Sequence, residues 1–134
     1  MNDVPPILVV DDEPLIRLSI LEALLEGGYT VLEASDGHSA IEQIDRTEHL
    51  RGIVTDVRMG NGPEGWTIAH HARKKFPAIA VVYVTGDSFS EWSANGVPQS
   101  TVLQKPFADA KLVTALANLL VAQQQQPNPP ASRT

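Results

Sequence analysis

A doubly wound α/β sandwich is what this sequence predicts, on three observations. Short apolar runs alternate five times with segments of helical period. Several of the runs are apolar almost throughout, as strands are when helices cover both faces of a parallel sheet. Acidic, hydroxyl and ammonium side chains stand just where those runs end, and the carboxyl ends of the strands are where open parallel sheets collect their functional groups.

The strands are expected at 7–10, 30–34, 52–55, 79–84 and 101–103. Helices are expected at 14–26, 37–46, 65–76, 88–95 and 108–122. Local punctuation supports these placements. Asp12 is positioned to cap the first helix ahead of Pro14, Gly27 and Gly28 to end it, and Asp36 to cap the second. Right-handed crossovers then place helices on both sides of the sheet. From Gln123 the chain reads QQQQPNPPASRT, polar and proline-rich, with too little apolar surface to repay ordering. The expected organisation is one domain over 1–122 and a disordered polar tail over 123–134, without an output module.

Composition bounds the function. The 134 residues are 43% hydrophobic and 19% charged, with a formal charge of -6 and a pI near 5.0. That balance argues against nucleic acid or anionic lipid as a partner, since either demands a basic patch. There is no cysteine, which removes disulfides and thiol chemistry. No signal-like or membrane-spanning apolar run is visible, and a soluble, cytoplasmic protein is expected.

The strand ends carry the chemistry. The first ends in Asp11, Asp12 and Glu13, the third in Asp56, the fourth in Thr85, and the fifth in Lys105, Pro106 and Phe107. A lone aspartate after a strand usually caps a helix or sits in solvent. Three converging carboxylates instead repel one another and call for a cation. Oxygen-only ligands without His or Cys suit Mg2+, which keeps waters and bridges to phosphate oxygens. Asp56 is then placed as a nucleophile toward phosphorus, with Lys105 stabilising charge on the phosphoryl oxygens and Thr85 donating from its hydroxyl.

Four spaced motifs, ILVVDDEP at 7–14, TDVRM at 55–59, VTG at 84–86 and KPF at 105–107, are together similar to those of response regulator receiver domains. The resemblance runs from about Ile7 to Leu120. It implies a flavodoxin-like five-stranded parallel sheet of order 2-1-3-4-5 with five helices, in a stand-alone phosphoacceptor switch. It further implies that Asp12 ligates Mg2+ directly and Asp11 through the metal's water. Asp56 is both ligand and phosphoacceptor, the Arg58 carbonyl is a further ligand, Thr85 is the switch hydroxyl, and a cis bond follows Lys105. The implied donor is a histidine kinase or histidine phosphotransferase. The readout is another protein, which the sequence leaves unknown. Phosphorylation and dephosphorylation are self-catalysed, so the chain is not expected to be an enzyme in the ordinary sense.

The sequence departs from that pattern in places. Residues 60–65 form a loop apparently one residue longer than usual, and Val102 stands where an aromatic residue is common. The signal is therefore expected to travel by backbone movement, or through aromatics such as Phe89 and Trp92. Trp66 and Trp92 are read as edge packing. Arg58 and Asp87 flank the entrance to the site, either as a gate or as an exposed pair of little energetic value. In the first helix, Ile16, Ile20, Ala23 and Leu24 form one apolar stripe and Leu18, Leu21 and Leu25 another, the second expected to contact the donor's helix bundle. The four histidines are read as solvated. The competing reading is a degenerate receiver that binds a partner without phosphorylation. A haloacid-dehalogenase-type hydrolase is set aside, because that chemistry needs an acid two residues after the nucleophile and Arg58 stands there.

Overall fold

The structure is a computed structural model that describes residues 4–125. Five parallel strands, β1 (Ile7–Val10), β2 (Val31–Ala34), β3 (Gly52–Asp56), β4 (Ala80–Thr85) and β5 (Ser100–Gln104), lie in the order β2-β1-β3-β4-β5. Between and after them run α1 (Pro14–Glu26), α2 (Gly37–Arg46), α3 (Gly65–Lys75), α4 (Trp92–Asn95) and α5 (Asp109–Gln125). The chain order passes from β1 to β2 on one side and from β3 to β5 on the other, which leaves a crevice at the carboxyl ends of β1 and β3. This is the expected doubly wound sheet of order 2-1-3-4-5.

The uniform apolarity of the strands follows from two separate cores. Leu8, Val10, Ile53, Val81 and Tyr83 face Ala40, Ile44, Ile68 and Ala72 of α2 and α3. The alternate residues Ile7, Val9, Val54, Val82 and Val84 face Ile20 and Leu24 of α1 and Leu112 and Leu116 of α5. Each large side chain buried this way is worth about 1.5–3 kcal/mol, so the sheet is held from both faces.

Helix boundaries follow local chemistry, with revisions at α1, α4 and α5. Pro14 opens α1, but Glu13 rather than Asp12 occupies the N-cap position, and no side chain makes a capping bond there. Asp36 caps α2 by accepting from the Ser39 N–H at 2.8 Å. At the end of α1, Gly28 takes a φ of +90° and donates its N–H to Leu25 at 3.0 Å, a conformation open to glycine.

The helix expected at 88–95 resolves into a 3₁₀ turn, Phe89–Glu91, followed by the single turn of α4. Pro98 two residues beyond Gly96 and the absence of a capping side chain leave nothing to extend it. α5 continues through Gln125, past the expected end at Ala122. Gln123 explains why, since its amide donates to the carbonyls of Arg51 and Ala78 at 3.0 and 2.7 Å. The rest of the segment read as a tail, 126–134, lies outside the described residues.

On α1, Ile20, Ala23 and Leu24 are buried as expected, but so is Leu21, which therefore leaves the proposed outer stripe. Leu15, Leu18 and Leu25 are exposed at 81%, 49% and 56%. Among the described residues no helix is long and apolar enough to cross a membrane.

Candidate metal and phosphoacceptor site

Strand geometry delivers the acidic residues. Asp11 follows β1 and is fully buried, and Asp56 ends β3 at 6% exposure, while Asp12 stays exposed. One carboxylate oxygen from each of the three falls within 4.8 Å of the others. Several contacts fix these positions. Asp11 accepts from the Glu13 N–H at 2.9 Å and Asp56 from the Val57 N–H at 2.8 Å. The Arg17 guanidinium donates to the Asp11 carbonyl at 2.7 Å while pairing with Glu33 at 3.0 Å, which ties α1 to the ends of β1 and β2. Gly65 lies so close beneath the site that a side chain there would collide with the Asp56 carbonyl oxygen.

Lys105 enters from the end of β5, where its N–H donates to the Thr85 carbonyl at 2.8 Å and the Lys105–Pro106 bond is cis. Its Nζ lies 3.3 Å from Asp11 Oδ2, 3.4 Å from Asp56 Oδ2 and 3.6 Å from Glu13 Oε1. Glu13, which the sequence placed at the end of the first strand without a role, therefore belongs to the rim of the site.

The electrostatics reflect one ammonium shared among several carboxylates. Burial pushes the Asp56 carboxyl up to about 6; Lys105 pulls it down and the Asp11 charge pushes it further up. Burial likewise raises Asp11, against the Glu13 N–H and Lys105. Burial disfavours the Lys105 ammonium, yet Asp56 and Asp11 outweigh that and hold its pKa above the ordinary value. A single cation leaves this pocket short of positive charge, and its donors are all hard oxygens. That donor set fits Mg2+.

Thr85 sits at the end of β4, 1% exposed. Its hydroxyl accepts from the N–H groups of Ser88 and Asp87 at 2.9 and 3.2 Å. Arg58, two residues past Asp56, reaches across to the same segment. Its Nε donates to Ser88 Oγ at 2.9 Å and lies 3.6 Å from Asp87, and its terminal nitrogens lie 3.3 Å from Glu64 and 3.2 Å from Glu91. The expected Arg58–Asp87 neighbourhood is thus present, as one part of a larger cluster. Ser88, Glu64 and Glu91 were not legible in sequence, because contacts between loops leave no periodic signal.

Other expectations meet mixed outcomes. Gly60 and Gly62 in the 60–65 loop have φ of +62° and +104°, so the turn itself calls for glycine there. Trp66 is core rather than edge, its ring centroid 4.6 Å from that of Tyr83. Trp92 is half-buried and donates its indole N–H to Ser100 Oγ at 2.9 Å. Of the histidines, His71 bonds Asp45 at 2.7 Å and His70 the Asn95 carbonyl at 3.1 Å.

Fold and site together define a receiver module of two-component signalling: the family model for the response regulator receiver domain matches residues 7–117, and the chain belongs to that family. Among solved structures it is similar to a response regulator receiver protein from Sinorhizobium medicae WSM419, at 39% identity and a TM-score of 0.87, covering 90% of this chain and 98% of that one. It also resembles the response regulator TrrA of Thermotoga maritima, solved with Mg2+ and BeF, at 29% identity and a TM-score of 0.71 over 87% of this chain and 99% of that one. The sensor kinase CckA of Brucella abortus is 32% identical over 124 residues, 87% of this chain but 13% of the kinase. The chain therefore spans a small part of that relative's length.

Proposed function

We propose that this chain is a phosphoacceptor switch that takes a phosphoryl group from a histidine kinase or histidine phosphotransferase onto Asp56. One observation carries the reading: Asp56 is nearly buried at the mouth of the crevice, 3.4 Å from the Lys105 ammonium, with Asp11 and Asp12 in metal-binding reach. In the transfer, an Asp56 carboxylate oxygen bonds to phosphorus as the phosphorus–nitrogen bond of the phosphohistidine breaks. The bonding pair of that bond leaves with the imidazole.

Asp11, Asp12, Asp56 and the Arg58 carbonyl would hold Mg2+, which when bound supplies the positive charge that phosphoryl oxygens require. Lys105 contributes the second positive charge at the same group. Thr85 supplies a neutral donor once its hydroxyl hydrogen is turned from Asp87 Oδ1 toward the modified side chain. Turnover is limited to this residue, so the chain acts as a switch and not as an enzyme, and its readout is a separate protein.

The donor fits on α1. Leu15 and Leu18 are exposed, and Leu15, Ile16, Ile20, Pro106 and Phe107 line an apolar groove of about 470 Å³ that ends at Lys105. A helix of the donor's bundle laid there brings its histidine to Asp56.

Intact mass after incubation with a small phosphodonor and Mg2+ tests the central claim. Wild type is expected to gain one phosphoryl group and Asp56→Asn none. An unchanged wild-type mass would sink the reading and favour a phosphorylation-independent binding module. For the docking claim, Leu15→Glu with Leu18→Glu should slow transfer from a phosphorylated donor protein while leaving modification by the small phosphodonor intact.

A further inference from the structure

Four side chains outside the acid cluster converge on Arg58, and they come from two different loops. Glu64 belongs with Arg58 to the loop joining β3 to α3. Ser88, Asp87 and Glu91 belong to the segment that follows Thr85. The planar guanidinium presents five donors in a fixed fork, so it can hold acceptors spread around its edge in one geometry, where the ammonium of a lysine is a compact point charge.

Ser88 is fully buried, and its backbone N–H is the shorter of the two bonds that the Thr85 hydroxyl accepts, 2.9 Å against 3.2 Å from Asp87. Ser88 Oγ in turn donates to Asp87 Oδ1 at 2.9 Å. The segment that holds the threonine hydroxyl is therefore itself held by Arg58. For Thr85 to donate to an anion on Asp56, its hydroxyl must turn its hydrogen away from Asp87 Oδ1, 3.4 Å distant. Its oxygen can move toward Asp56 only if the Ser88 and Asp87 N–H groups are released or follow it, so residues 87–88 must readjust against the grip of Arg58.

We propose that Arg58 is a positioning residue: by bridging to Ser88 and Glu91 it keeps Thr85 in its resting orientation, and it opposes the change that anion binding at Asp56 requires. This rests on the phosphoacceptor reading of Asp56. Glu64 provides an internal contrast, since it also pairs with Arg58 but from the same loop, and so adds negative charge without bridging. A ligand can shift such an equilibrium only by its preference for one state, so releasing the clasp must appear as tighter binding of whatever stabilises the shifted state.

The test uses beryllofluoride with Mg2+, an anion that mimics an acyl phosphate, titrated into the full-length chain and followed by tryptophan fluorescence or amide NMR. Ser88→Ala with Glu91→Gln is expected to bind it about threefold to tenfold tighter than wild type, the range for losing half-exposed charged contacts. Glu64→Gln should stay within about twofold, and Arg58→Lys should fall between. Thermal melts check folding; if Ser88→Ala disturbs the buried segment, Glu91→Gln alone carries the comparison. A merely structural role for these residues would weaken binding, not strengthen it. Equal affinity in wild type and the bridging variants, or equal tightening by Glu64→Gln, overturns the clasp while the phosphoacceptor reading stands. No binding by wild type overturns that reading and the clasp with it.

Discussion

Replacing Asp56 with Asn should stabilise the metal-free protein at neutral pH, and the magnitude follows from the site. The carboxyl titrates at about 6 in the fold against 3.8 for an ordinary aspartate. A group with a raised folded pKa binds more protons folded than unfolded between those two values. Its penalty is absent below the unfolded value, grows as pH rises through the window, and is fully present above about 6. Two pK units correspond to about 3 kcal/mol as an upper figure.

Asparagine keeps an oxygen for the Val57 N–H but gives up the ion pair with Lys105, so a net gain of about 1–3 kcal/mol is expected. For a domain of this size that amounts to roughly 3–10 °C in Tm. The assay is urea unfolding of wild type and Asp56→Asn in EDTA from pH 4 to 7.5. The two stabilities should meet near pH 4 and diverge upward, and Mg2+ should stabilise wild type far more than the variant. Parallel curves across the range, or an Asn variant less stable at pH 7.5, would refute the claim that burial dominates at Asp56.

Lys105→Met should cost about 1–3 kcal/mol at pH 7 in EDTA, because Asp11 and Asp56 lose their shared partner. Denaturant midpoints measure the loss, and Mg2+ should recover part of it. Gly65→Ala should lower stability by about 1–3 kcal/mol and weaken Mg2+ binding, since the added methyl meets the Asp56 carbonyl oxygen and Val57; melts with and without Mg2+ report both effects. Tyr83→Phe should cost about 1–2 kcal/mol, because the Val97 N–H, which donates to the buried phenol at 3.0 Å, is left unpaired. Amide exchange at Val97 should rise in step.

The parts of the fold that repeat were legible, and so were the parts that must sit at strand ends. β1 and α1 and α2 have the expected bounds because Pro14, Gly27 and Asp36 are local signals that the tertiary structure leaves in force. Asp11, Asp12, Asp56, Thr85 and Lys105 were readable because the topology of an open parallel sheet puts residues from distant positions on one edge. What escaped depends on reach. Leu21 was assigned to the outer stripe by angle alone, yet it packs into the core that α1 shares with α5, because a neighbouring helix as well as the sheet buries α1. Gln123 was assigned to a tail by composition, yet two carbonyls from other loops hold it in α5.

The aromatic residue missing at Val102 shows the same limit and has a consequence for the switch. Val102 pairs in register with Tyr83, so the two side chains stand next to each other on one face, in a cluster with Trp66 and Val97. An aromatic ring is therefore present on β4, one strand over from the usual place and two residues before Thr85. Unlike a surface ring it is fully buried, stacked at a tilt on Trp66 and fixed by the Val97 N–H. Swinging it out would expose the ring and leave a buried N–H without a partner, a cost of several kcal/mol. Motion that begins at Thr85 thus meets a rigid ring behind it and, ahead of it, a segment held by hydrogen bonds and by the half-exposed Arg58–Glu91 pair. The soft direction runs from Thr85 into the 3₁₀ turn and α4.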